Sequence, residues 1–389
     1  MNHQPNQNTS PKPFRIDIPQ HDLDDLHARL AHTRWPGEVE GAGWDYGTNL
    51  AYLKGLTEYW QHGFDWREQE RQLNNFQQFR AEIDGFGLHF IHERGRGPNP
   101  TPLLLTHGWP DSFYRFYKLI PMLTDPERFG GRAEDSFDVV VPSIPGYGFS
   151  DQPSQRGFST QQTADLFARL MTEELGYVRY GAHGGDVGSS VTEALATRHA
   201  EQLLGIHLTD IPYWHLFATS PNDLSDAEQT YIQTGQQWQM REGAYALEQS
   251  TKPQTLAYGL SDSPAGLAAW IVEKFRSWSD CDGDIGQRFS RDELLTNLTI
   301  YWATQTIQSS FLPYFERPAP PQDSWTRPGV PTGVAIFPKD IVPAPQEYGE
   351  RIFDIRRWTP MPRGGHFAAL EEPALLADDL RSFFGSLRD

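Results

Sequence analysis

A single cysteine, Cys281, in 389 residues excludes an intrachain disulfide and any metal site built from several thiolates. Positive charge is also scarce: 33 Lys and Arg stand against 51 Asp and Glu, a formal net charge of −18. Nucleic acid and anionic membranes both need a basic footprint, so neither is expected as a partner. Long apolar runs are missing too. Stretches such as Leu103-Leu104-Leu105 and Val139-Val140-Val141 fall far short of the roughly 20 residues that cross a bilayer. The opening, Met1 to Lys12, is polar and has no apolar signal core, so a soluble, cytoplasmic protein is expected. Aromatic residues, at 13%, are plentiful enough for a large core or pocket. The length suits one large fold with an elaboration, or two domains.

Residues 1–11 are rich in Asn, Gln and Pro and predict a disordered tail. Leu23, Leu26 and Leu30 recur at helical spacing and a second helix is expected over Leu50–Trp60, so residues 12–80 read as a helical meander. Alternating apolar positions around Asp84-Gly85 predict a hairpin over residues 81–95. Strands expected at Pro102–Thr106, Phe137–Pro142, Val178–Ala182 and Leu204–Leu208 then alternate with helices over residues 161–175 and 187–199. Such alternation implies a parallel sheet covered on both faces. It stops after Asp210. Residues 212–325 are helical in pattern, and the Pro-rich stretch Arg317–Pro331 reads as a linker back to the sheet. Strands resume at Gly333–Phe337 and Ile355–Thr359, before a terminal helix from Phe367 to Leu387. The expected architecture is α/β: a mostly parallel eight-stranded sheet in two parts, residues 81–211 and 326–389, with a helical cap between them.

The segment Gly184-Gly185-Asp186-Val187-Gly188 follows a strand and opens a helix. Glycines two residues either side of Asp186 give the spacing of a nucleophile elbow in an α/β-hydrolase fold. The turn is strained, its neighbours leave no room for side chains, and the helix N-terminus offers unpaired N–H groups. Aspartate in place of serine changes the chemistry. A carboxylate attacks saturated carbon, displaces an alkoxide or halide, and leaves an alkyl ester that activated water hydrolyses. Helix capping by Asp186 is the plain alternative.

Other segments fall where such an elbow needs them. His107-Gly108-Trp109-Pro110 follows a strand at the place of the oxyanion loop, so the N–H groups of Trp109 and Val187 are the candidate oxyanion donors. His107 itself reads as a structural loop residue, and His183 and His207 as core residues. Gly364-Gly365-His366 lies after the last strand, where the base belongs in chain order. Asp340 fits the acid that orients it, with Asp354 and Glu347 as rivals.

Taken together, these segments resemble the epoxide hydrolases of the microsomal and juvenile-hormone type, from about Pro13 to Phe384. The resemblance is carried by His89–His92, His107–Pro110, Pro142–Ser150, Gly184–Asp186, Asp262–Trp270 and Gly364–Glu371. It implies hydrolysis of a small-molecule epoxide to a vicinal diol, with no metal and no organic cofactor. It also implies two cap tyrosines that hydrogen-bond the epoxide oxygen and protonate it as the ring opens. The matching positions are Tyr245 and Tyr314, and a neutral phenol suits that role. Without the resemblance, Tyr213, Tyr231, Tyr258 and Tyr301 stand as equal candidates.

Two departures carry further expectations. Most members have Trp after the nucleophile, whereas this chain has Val187. Its N–H still serves, and the smaller side chain is compatible with a bulky, natural-product-type substrate in a biosynthetic or detoxifying role. The swap also weighs against haloalkane dehalogenases, which bind halide through that Trp. No N-terminal membrane anchor is visible, which implies a soluble form. A dehalogenase or other Asp-nucleophile hydrolase, and a catalytically silent binding protein, are the competing readings; the ordered trio Asp186, Asp340, His366 argues against the silent one. A homodimer is expected on base rate alone.

Overall fold

Val139, Val140 and Val141 are all fully buried, as are Leu103, Leu104 and Leu105, because the strands that hold them are covered on both faces. In the computed structural model, which describes residues 11–218, 223–316 and 327–388, these runs lie in neighbouring parallel strands. The strands are β1 (Lys12–Phe14), β2 (Gln78–Ile83), β3 (Phe86–Glu93), β4 (Thr101–Thr106), β5 (Phe137–Pro142), β6 (Tyr180–Gly184), β7 (Leu203–Leu208), β8 (Pro331–Ile336) and β9 (Asp354–Pro360). They form one sheet in the order β1-β2-β3-β5-β4-β6-β7-β8-β9. Strands β4 to β9 are mutually parallel, and β1, β2 and β3 join antiparallel.

All eight expected strands are present, within an α/β-hydrolase sheet. The ninth, β1, pairs Lys12 with Arg80 and Phe14 with Gln78 at the edge. Three residues are too few to show an alternating pattern, which is why it was not legible. The expected disordered tail falls, Pro11 apart, outside the described residues. So does most of the Pro-rich stretch, residues 317–326.

Several expected boundaries move, among them the start of the hairpin, which lies at Gln78 inside the stretch read as a helical meander, and two have a visible cause. β6 starts at Tyr180 rather than Val178, because the chain leaves the preceding helix through Gly176 at φ 74° and Val178 is still exposed. The single terminal helix is two, Ala368–Glu371 and Pro373–Gly385. Proline disfavours helical backbone in the residue before it, and Glu372 takes φ −137°, ψ 55°. Its carboxylate turns to Arg363 Nε at 2.7 Å and Arg288 Nη1 at 3.0 Å.

Among the described residues between β7 and β8 the chain is mostly helical, with its longest helices at Asp226–Glu242, Pro264–Ser277 and Arg291–Thr304. The N-terminal helices Gln20–Ala31 and Leu50–His62 pack against this cap. Trp60 Nε1 donates to Thr299 Oγ1 at 3.0 Å, the Tyr59 hydroxyl to Asp292 Oδ1 at 2.9 Å, and Thr48 Oγ1 to the Ala269 carbonyl at 2.7 Å. The helix that the first two bonds brace, Arg291–Thr304, reaches the oxyanion loop from its other side. Asn297 Nδ2 donates to the Pro110 carbonyl at 2.9 Å and the Tyr301 hydroxyl to that of Asp111 at 2.8 Å.

Candidate active site

Asp186 stands between β6 and the helix Val187–Arg198 with φ 59° and ψ −125°, a conformation that costs free energy for a non-glycine residue. The flanking glycines allow it. A Cβ on Gly184 would come 2.1 Å from the Gly188 carbonyl oxygen, and one on Gly188 would come 2.2 Å from that of Thr106. The oxyanion loop is equally close: a Cβ on Gly108 would sit 2.5 Å from Asp186 Oδ1.

That proximity brings the Trp109 N–H to Asp186 Oδ1 at 2.8 Å. The Val187 N–H also supports the carboxylate. The second oxygen, Oδ2, faces His366 Nε2 at 3.4 Å. On its far side the imidazole meets Asp340 Oδ1 through Nδ1 at 2.7 Å. Asp340 is fixed by the Ile341 N–H at 2.6 Å and the Tyr213 hydroxyl at 3.3 Å. The rival acids lie elsewhere: Asp354 pairs with Arg327 and Arg356, and Glu347 accepts from Ser225.

Charge follows from this geometry. Burial works against a charged His366, but Asp340 and Asp186 on either side outweigh it and push it up to about 10. Burial likewise pushes Asp186 up, yet His366 and the Trp109 and Val187 amides hold it below the usual carboxylate range. Both shifts favour a charged pair, an imidazolium at His366 beside a carboxylate at Asp186. His107 is different. Burial drives it down to about 3, and Nε2 accepts the Ile144 N–H at 3.1 Å, so it serves the loop as a neutral ring.

Over the oxyanion loop sit the two cap tyrosines. Tyr245 stacks on the Trp109 ring with centroids 5.2 Å apart and an interplanar angle of 9°. Tyr314 meets the same ring edge-on at 6.1 Å, and the two tyrosine rings are 6.0 Å apart. Both are buried, whereas Tyr258 is 72% exposed, Tyr231 packs on Tyr348, and Tyr301 is spent on Asp111. Trp278 closes the group, 5.0 Å from Tyr245 and 5.2 Å from the His366 ring, and its carbonyl accepts the His366 N–H at 2.8 Å.

Several supporting residues escaped the sequence reading. Arg115 pairs with Asp111 at 2.6 Å and donates to the His366 carbonyl at 2.7 Å, tying the oxyanion loop to the histidine loop. Burial pushes Asp111 up to about 6 against the pull of Arg115. Glu371 accepts from the N–H groups of Gly365, Phe367 and Asp280 at 3.0, 2.9 and 2.8 Å. Asp210 accepts the Asp186 N–H at 2.7 Å. Only Glu371 had a local signal, lying inside the segment that ends the chain's resemblance.

An aspartate at the strand-to-helix elbow, with an amide on one oxygen and a carboxylate-backed histidine beside the other, stands where an α/β-hydrolase fold carries its nucleophile. Family models agree: one described as epoxide hydrolase N terminus matches residues 11–116, and one described as alpha/beta hydrolase fold matches residues 101–263. Epoxide hydrolase 1 of Sus scrofa is 37% identical over 97% of this chain and 89% of its own. The crystal structure of juvenile hormone epoxide hydrolase from Bombyx mori superposes with a TM-score of 0.85 at 30% identity, covering 98% of this chain and 95% of that one. The structure of Aspergillus niger epoxide hydrolase gives 0.83 at 30% identity over 97% of each chain. The chain belongs to the epoxide hydrolase family.

Proposed function

We propose that this protein hydrolyses an epoxide to a vicinal diol through an ester on Asp186. One observation carries the reading: Asp186 Oδ1 is held by the Trp109 N–H at 2.8 Å while Oδ2 faces His366. One oxygen is thereby fixed as a future carbonyl and the other is left to attack.

Oδ2 attacks an epoxide carbon, the carbon–oxygen bond breaks, and Tyr245 and Tyr314 supply the proton the leaving oxygen takes up. Esterification removes the Asp186 charge, one of the two that hold His366 up. Its proton affinity falls, its proton goes to the phenolate that ring opening leaves behind, and the neutral ring, still oriented by Asp340, becomes a base. It then deprotonates water for attack on the ester carbonyl. The Trp109 and Val187 N–H groups face the oxyanion that forms at Oδ1. As the intermediate collapses, the proton of its new hydroxyl passes to the departing oxygen, which frees the diol, restores the carboxylate and leaves His366 protonated as at the start.

Val187 leaves a smaller wall beside the nucleophile than a tryptophan would, which supports bulky epoxides as substrates. The reading predicts diol from a panel of terminal aryl, alkyl and larger epoxides, and no halide from haloalkanes. Halide release without diol would instead support a dehalogenase. Tyr245→Phe and Tyr314→Phe should each lower kcat/KM by about 10²-fold, the usual worth of a general acid. The loss should appear in the rate of ester formation, measured by stopped flow, and not in its hydrolysis. Full activity in either variant would remove that tyrosine from the mechanism.

A further inference from the structure

Ser189 Oγ lies 2.7 Å from the carbonyl oxygen of Asp186 and also 2.7 Å from Asp210 Oδ2. A hydroxyl has one proton, which cannot lie along both lines, and a carbonyl can only accept. Both contacts are hydrogen bonds at once only when Asp210 carries a proton on Oδ2. It then donates to Ser189, which donates to Asp186. The other oxygen, Oδ1, accepts the Asp186 N–H at 2.7 Å. One carboxyl therefore holds both backbone groups of the strained elbow residue, one directly and one through Ser189. We propose that Asp210 works as a neutral carboxylic acid, a positioning residue that holds the elbow without adding charge to the Asp186–His366–Asp340 array.

The surroundings fit. Asp210 is buried. The groups that face it are Asp186 and Ser189 on the elbow, Asp340 after β8, His366 on its loop, and the phenols of Tyr213 and Tyr231 from the cap. Arg115 borders the same glycine, Gly185, but is engaged by Asp111. Burial first, then the Asp340 charge, push Asp210 up to about 7 against the Asp186 N–H, Ser189 and His366. Ionised, it would add a further negative charge beside Asp186 and would leave the Asp186 carbonyl with the Ser189 N–H, at 3.1 Å, but without the Ser189 hydroxyl proton.

Asp210→Asn keeps the pattern, since its amide oxygen accepts from Asp186 and its amide NH2 donates to Ser189. Asp210→Ala keeps neither bond. At pH 6 the alanine variant should lose about tenfold or more in kcat and the asparagine variant no more than about threefold. The wild-type kcat profile should contain a step near pH 7 that Asp210→Asn lacks. In the wild-type minus Asp210→Asn infrared difference, a protonated-carboxyl band should be present at pH 6 and vanish above pH 7. Stability gives the same sign. With its value raised from about 3.9 unfolded to about 7 folded, Asp210 binds its proton more tightly in the fold. Wild-type stability therefore drops relative to Asp210→Asn as pH rises from 5 to 8. An asparagine variant as impaired as alanine, or a missing infrared band, would overturn the proposal. The catalytic consequence rests on Asp186 as nucleophile. The infrared and melting comparisons do not, so a protein inactive on epoxides would sink the first reading and leave this one to be decided by them.

Discussion

Asp186→Asn should lower epoxide turnover by at least about 10⁴-fold and form no covalent adduct, because an amide oxygen is a far weaker nucleophile than a carboxylate. The fold should survive. Asparagine is among the few residues that tolerate positive φ, and its Oδ1 can still accept the Trp109 N–H that Asp186 accepts at 2.8 Å. A second consequence can be read without substrate. His366 is pushed up to about 10 by Asp340 and Asp186 together, so removing one carboxylate must lower it. Imidazole NMR titration of the asparagine variant should show that fall. Activity within tenfold of wild type would return Asp186 to the bland role of capping its helix.

His366→Gln should separate the two half-reactions. Ring opening needs the Asp186 carboxylate and a proton donor, and neither is His366. Hydrolysis needs the imidazole as base. The variant should therefore consume about one equivalent of epoxide in a burst and then stop. Steady-state turnover should fall by about 10³- to 10⁴-fold, the upper range for removing a general base. Mass spectrometry should find the peptide containing Asp186 heavier by one epoxide. The fold is safeguarded because glutamine retains the backbone contacts of position 366, the N–H to the Trp278 carbonyl and the carbonyl from Arg115. Continued turnover, or a burst with no ester, would contradict the assigned division of labour.

Much of this site was legible because chain order carries it. The spacing of Gly184, Asp186 and Gly188 encodes a steric demand: a Cβ added at either glycine would come within 2.1 or 2.2 Å of a backbone oxygen. The positions of Asp340 and His366 after β8 and β9 follow from the sheet, and they meet at 2.7 Å although 26 residues apart. What stayed hidden was contact made across the fold by residues without a local pattern. Arg115 reaches the backbone of His366, 251 residues away, and nothing in its own segment announces it. Asp210 looked like the place where strand–helix alternation ends; only the fold brings it under Asp186. The cap was the least legible part. Its helix Arg291–Thr304 buries polar Thr296, Asn297 and Thr299 along with its leucines, so no apolar stripe marks a face. The two cap tyrosines were distinguishable from their neighbours by resemblance alone until Trp109 was seen to gather both rings.

The most direct test of the ester on Asp186 is a single turnover in water enriched in oxygen-18, with enzyme in excess over epoxide. Water attacks the ester carbonyl, so its oxygen should remain in the carboxylate and the first diol should carry the unlabelled oxygen of Asp186. The tryptic peptide containing Asp186 should gain two mass units. Label found directly in that first diol, with Asp186 unlabelled, would mean that water attacks the epoxide itself and that the ester does not form.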